Sequence, residues 1–281
     1  MKNIFAGLES LGLKGTDKVD VFEDKTEEKA HEQAEHQEKK KEVTEEDLLF
    51  EKSYTCPVCD NEFKSKMVRT GKVRLAGADS DLRPKYMGVD ALKYDAVLCR
   101  KGGYAALKRY FNFIMARQAA NIKEQISKTF TYEDKEDKVY DYDDAIMRHK
   151  LALLNTVVKN GKNSERAYTC LKLAWLYRGK REMLLQQEEH DKDEVIQLAT
   201  EEKELLTNAY EGFESAFSRE DFPMCGMDQY TLLYLLAELA RRIGDNEAAA
   251  RHVSKVLVGK NVQKRIKDKA VDLKEKLHTH E

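Results

Sequence analysis

The chain has 281 residues, 41% of them hydrophobic, which is enough for one large domain or two modest ones with a true apolar core. Charged residues make up 36%, with only 3 Pro and 14 Gly, a balance that favours helices with charged surfaces over a turn-rich β architecture. The net charge of -2 hides an asymmetry: residues 1–51 carry 8 Lys+Arg against 15 Asp+Glu, whereas residues 52–117 carry 14 against 6.

Residues 1–23 open with a short helix that places Ile4, Phe5, Leu8 and Leu11 on one face. Residues 24–47 offer almost nothing apolar to bury and read as a charged linker. The start lacks the basic, apolar, small-residue order of a secretory signal. No apolar stretch reaches membrane-spanning length, so the expectation is a cytoplasmic protein without a transmembrane segment.

Residues 48–104 change character. Short β-compatible runs (MVRT, KVRLA, YDAVLC) are broken by Gly71, Gly77, Pro84 and Gly88, the composition of a small irregular β module. Within it stands Cys56-Pro57-Val58-Cys59. A C-P-x-C turn at a strand end aims two thiols at one point and turns backbone N–H groups toward them, the usual first half of a tetrahedral zinc site. Cys99 begins a second half, but Gly102 stands where another cysteine belongs, so the candidate metal ligands are Cys56, Cys59 and Cys99. An odd total of 5 cysteines in a chain this long does not look like a disulfide framework.

Between Cys59 and Cys99 lie Arg69, Lys72, Arg74, Arg83 and Lys85, candidates for contact with an anion or nucleic acid. Asp79, Asp81, Asp90 and Asp95 are interleaved with them, and an internal Arg–Asp network that organises loops is the commoner use of such a mixture. Asp79-Ser80-Asp81 lacks the Gly and Glu of a calcium loop. There is no P-loop, no G-x-G-x-x-G after a strand, no G-x-S-x-G and no H-E-x-x-H, so no motif argues for an enzyme.

From residue 105 to 281 the helical period takes over. Leu233, Leu236, Ala237 and Ala240 share a face, Gly244 ends the helix, Asp245 caps the next, and Ala249 and Val256 face back, a tetratricopeptide-like order. Tyr168, Leu171, Trp175 and Gly179 repeat the first-helix pattern, and Ala209 and Ala216 the second, with an acidic insertion from Met183 to Glu204 between them. Ala145 and Ala152 mark a third second-helix, whose partner is expected from Ala105 to about Ser127; Val262–His278 reads as a terminal cap. The fold expectation is mainly α: a small β-containing, zinc-ribbon-like module followed by tetratricopeptide-like helical repeats.

Several of these motifs occur together in one known family. Cys56-Pro57-Val58-Cys59, then RTGKVRL, DSDLRPKY, the Cys99 segment ending Gly103-Tyr104-Ala105-Ala106, and FPMCGMDQYTLLYLLAELARR resemble the bacterial domain of unknown function 2225 over nearly the whole chain. The resemblance implies a four-cysteine zinc knob to which Cys56, Cys59 and Cys99 correspond, with Gly102 in place of the fourth ligand, and it implies no activity. Three functions follow as expectations. The leading one is a protein-interaction adaptor whose repeat groove takes a protein or peptide, with zinc in a three-cysteine module. The others are a nucleic-acid-associated factor using the basic block and a redox or metal-dependent enzyme at Cys56, Cys59 and Cys99.

Overall fold

A computed structural model describes residues 43–132 and 138–279. The helix expected at residues 1–23, with Ile4, Phe5, Leu8 and Leu11, and all but the last five residues of the 24–47 linker lie outside them. The described chain is mainly α with a small β module, as expected. Six short strands form three separate antiparallel hairpins, β1 (Leu49–Thr55) with β2 (Glu62–Val68), β3 (Leu75–Ala78) with β4 (Pro84–Tyr86), and β5 (Ala96–Leu98) with β6 (Ala105–Leu107). Helices α1 (Ala116–Ile122), α2 (Tyr142–Val158), α3 (Asn163–Leu185), α4 (Lys192–Phe217), α5 (Gln229–Ile243), α6 (Asn246–Leu257) and α7 (Lys264–Thr279) follow. No described helix is long and apolar enough to cross a membrane.

The α5–α6 pair follows its sequence closely. The Asp228 carboxylate accepts from Thr231 N–H at the start of α5, and Gly244 ends it in the left-handed region at φ 99°. Gly244 N–H and Asp245 N–H both return to Ala240 O, and the Asp245 side chain then accepts from Ala248 N–H to start α6. Leu233, Leu236, Ala237, Ala240, Ala249 and Val256 are all buried. The face of α7 carrying Ile266, Ala270 and Leu273 closes this stack against Leu233, Ala237, Val253 and Val256.

Upstream, two expectations are corrected. Ala105–Ser127 is not one helix. Residues 105–107 pair with Ala96–Leu98 as strand β6, because Gly102-Gly103 turns the chain back on itself, and only Ala116–Ile122 plus a π-turn at Lys123–Ser127 is helical. The face of α2 that was to meet a partner helix instead packs Ala152 on Ala96, Leu98 and Ala105 of that hairpin. Nor does Gly179 close a helix. It sits inside α3, where a β-carbon would lie 2.6 Å from Tyr142 and 2.8 Å from the Arg83 guanidinium, so glycine there permits a close approach. The acidic stretch Met183–Glu204 is the end of α3, a turn capped by Asp191, and the first half of α4.

Helix α5 is buried at every position from Leu232 to Ala240, more than one amphipathic face. The β3–β4 loop, Asp79–Arg83, supplies the extra cover. Tyr234 donates to Ser80 O at 2.7 Å, the Ser80 hydroxyl donates to Glu238 at 2.5 Å, and Leu82 packs between the apolar clusters of the helices. Asp81, with no solvent exposure, accepts a bidentate pair from Arg178 at 3.0 and 2.6 Å and a third bond from Trp175 Nε1 at 3.0 Å. Burial alone would raise its pKa; Arg178 and Arg242 outweigh that and hold it low. Arg178 also reaches Glu202 at 2.7 Å, so the charges form a closed network.

Candidate metal centre

The cysteines sit at the tips of two hairpins built alike. The connection from β1 to β2 is Cys56–Asn61, and that from β5 to β6 is Cys99–Tyr104, each six residues long. Cys56 N–H donates to Asn61 O at 2.9 Å and Cys99 N–H to Tyr104 O at 2.8 Å. Asp60 N–H returns to Cys56 O and Gly103 N–H to Cys99 O, both at 2.9 Å, and Asp60 and Gly103 both take positive φ, 56° and 69°. The two knuckles are therefore superposable in their hydrogen bonding, with Cys56 matching Cys99 and Cys59 matching Gly102.

This pairing brings Cys56, Cys59 and Cys99 together, their sulfurs all within 4.8 Å of one another and Cys59 to Cys99 at 3.6 Å. A tetrahedral zinc with metal–sulfur distances of about 2.3 Å spaces its sulfurs by roughly 3.8 Å, so the donor set fits the ion in element and spacing. The electrostatics agree. A hydrogen bond from Cys56 lowers the Cys99 pKa, and the Lys101 and Gly102 N–H groups add to this; the same contact, then burial, raises that of Cys56. A cation replacing the shared proton relieves this conflict, since thiolate is the form that binds metal.

Tyr54, Val58, Val97, Tyr104, Ala106, Phe111, Ile122 and Ile126 pack around Cys56 and Cys99 as one apolar cluster. The helices steady the second knuckle: the Ser127 hydroxyl donates to Gly102 O at 2.6 Å and the Asn155 amide to Gly103 O at 3.0 Å. Sequence reasoning missed both positioning residues, because neither stands at a spacing tied to the cysteines. It also missed a buried polar cluster beneath β5. There Asp95 pairs with Lys172 at 2.8 Å and Lys108 at 3.1 Å, and His149, wholly buried, donates its Nδ1–H to Ala145 O at 2.8 Å. Burial would raise the Asp95 pKa, but the two lysines hold it low; burial lowers that of His149 to about 4.

The five basic candidates do not converge. Arg83 is buried against Glu182 at 3.0 Å and Asp90 at 3.3 Å, and Lys85 reaches Asp79 at 3.0 Å. Arg69 donates to Leu49 O and lies over Phe50, while Lys72 and Arg74 are exposed. Of the other thiols, Cys170 is core, and Cys225, half-buried, accepts from Tyr110 OH at 3.3 Å.

On the helical side, Leu153 and Val157 of α2, Ala167 and Cys170 of α3 and Leu205 of α4 line a groove of about 460 Å³. Arg166 stands in its wall with one guanidinium nitrogen on Asn160 and its Nε buried without a hydrogen-bond partner among the described residues.

Residues 49–277 match the sequence model of a bacterial family described as "Uncharacterized protein conserved in bacteria" (DUF2225). No curated protein and no solved structure matches the chain.

Proposed function

The chain belongs to that bacterial family, and on this premise we propose that it is a protein-interaction adaptor, a helical-repeat platform whose groove takes an apolar segment of a partner protein, held beside a zinc-binding cysteine module. The groove between α2, α3 and α4 carries the reading. Its apolar floor suits two or three aliphatic side chains of a partner peptide, with the Arg166 side chain in the wall beside them. Val157 at its edge is 51% exposed, so a partner would remove apolar surface from water. The role of the metal is structural: it joins the tip of the β1–β2 hairpin to that of β5–β6, whose three-residue strands are too short to hold register alone.

The nucleic-acid reading is the weaker, since Arg83 and Lys85 are committed to carboxylates within the chain. An enzyme at the thiols needs a general base beside the metal, and among the described residues no His, Asp or Glu joins the three cysteines.

The test is affinity capture with the full chain against Val157→Asp and Arg166→Glu, each first shown to melt as the natural protein does. Loss of the same partners from both variants supports the groove; unchanged recovery removes it.

A further inference from the structure

Gly102 is the equivalent of Cys59 in the second knuckle, and its backbone does not call for glycine. The neighbouring Gly103 has φ 69° and a β-carbon there would meet the Phe130 ring at 2.6 Å, so glycine is required at 103. Gly102 has no positive φ, and a β-carbon on it would point at the thiol cluster, 3.0 Å from Cys59 Sγ and 3.6 Å from Ser127 Oγ. The fourth corner of the tetrahedron thus lies in the direction of the side chain that residue 102 lacks.

Among the described residues no other protein group takes that corner. Among the described residues the cluster comprises three thiols and no His, Asp or Glu, and the Asn61 side chain turns its NH₂, a donor rather than a ligand, toward Cys99 Sγ at 4.0 Å. Zinc in a protein takes four ligands. Resting on the zinc reading above, we infer that the fourth position is filled from outside the chain by a small exchangeable monodentate donor, either water or the thiolate of a low-molecular-weight thiol, and that Gly102 is what leaves it exchangeable. The Ser127 hydroxyl spends its proton on Gly102 O and keeps lone pairs to accept from a bound water. The site is a metal centre with an accessible coordination position, unlike the sealed four-thiolate knob that the family resemblance implies.

The experiment uses the full chain loaded with Co(II) in thiol-free, anaerobic buffer, read by its sulfur-to-cobalt charge-transfer and d–d bands while 2-mercaptoethanol is added. The natural protein should give a three-thiolate spectrum that shifts saturably toward the four-thiolate form. Gly102→Cys, which supplies a fourth thiolate from the chain itself, should start in that form and not respond. A natural protein whose bands ignore added thiol, or a Gly102→Cys protein that responds as the natural one does, overturns the inference. Gly102→Cys binding Co(II) while the natural protein responds to no thiol counts against the exchangeable corner alone. Absence of charge-transfer bands from both proteins sinks the zinc reading, and the inference with it.

Discussion

The α5–α6–α7 stack and the seam between the β3–β4 loop and the helices are held by opposite means. In the stack, Leu233 and its neighbours bury apolar surface, and Asp228, Gly244 and Asp245 close the helix ends. At the seam the contacts are charges: Asp81 on Arg178, Arg178 on Glu202, Arg83 on Asp90 and Glu182. Loss from the stack leaves a cavity, whereas loss from the seam leaves an uncompensated charge in a dry site. The first region tolerates imperfection in graded steps; the second holds or fails as a unit.

Asp81→Ala should therefore have the largest effect, lowering stability by about 3–5 kcal/mol because buried Arg178 loses its bidentate partner and keeps only Asp79 and Glu202. Chemical denaturation checks it, and a loss of only about 1 kcal/mol would mean that water enters the seam and the two regions are held alike. Leu233→Ala, within the apolar stack, should cost about 3 kcal/mol, independent of salt. If its cost tracks ionic strength, the stack is not apolar in the sense argued.

A pH titration sharpens the same comparison. His149 is neutral in the fold with its pKa lowered to about 4 by burial, against about 6.5 when unfolded. Between these values the unfolded chain binds the extra proton, so stability falls as pH falls from about 6.5 to 4, by up to about 3 kcal/mol. His252, also lowered to about 4 by burial, contributes over the same window, so His149→Leu should reduce that slope in urea midpoints but not abolish it; an unchanged slope would assign it to other groups. The smallest effect expected is that of Asp245→Ala, about 1 kcal/mol for the lost cap on Ala248 N–H, seen as a modest drop in melting temperature. A drop as large as that of Asp81→Ala would erase the distinction between the regions.

Legibility in the sequence follows the same division. The 3.6-residue period and local capping rules are short-range, so Leu233 to Val256 could be placed residue by residue, and the C-P-x-C turn with Cys99 located the metal candidates. Long-range pairing left no such trace. The apolar run Ala105–Leu107 reads equally as helix or strand until Gly102-Gly103 is seen to fold it onto Ala96–Leu98. Gly179 reads as a terminator until Arg83 and Tyr142, distant in sequence, are found pressed against it. An internal Arg–Asp network was foreseeable from composition, but not that Asp81 reaches Trp175 and Arg178 while Arg83 turns to Glu182.

The central claim is that two matched hairpin tips present three thiolates to one metal ion. Metal content of the full chain purified without chelator, compared with Cys56→Ser protein of the same secondary structure, tests it most directly. About one zinc per natural chain, lost from the variant, is the expected result. A natural protein free of metal, or a variant that keeps it, would show that the three thiols do not form a metal site.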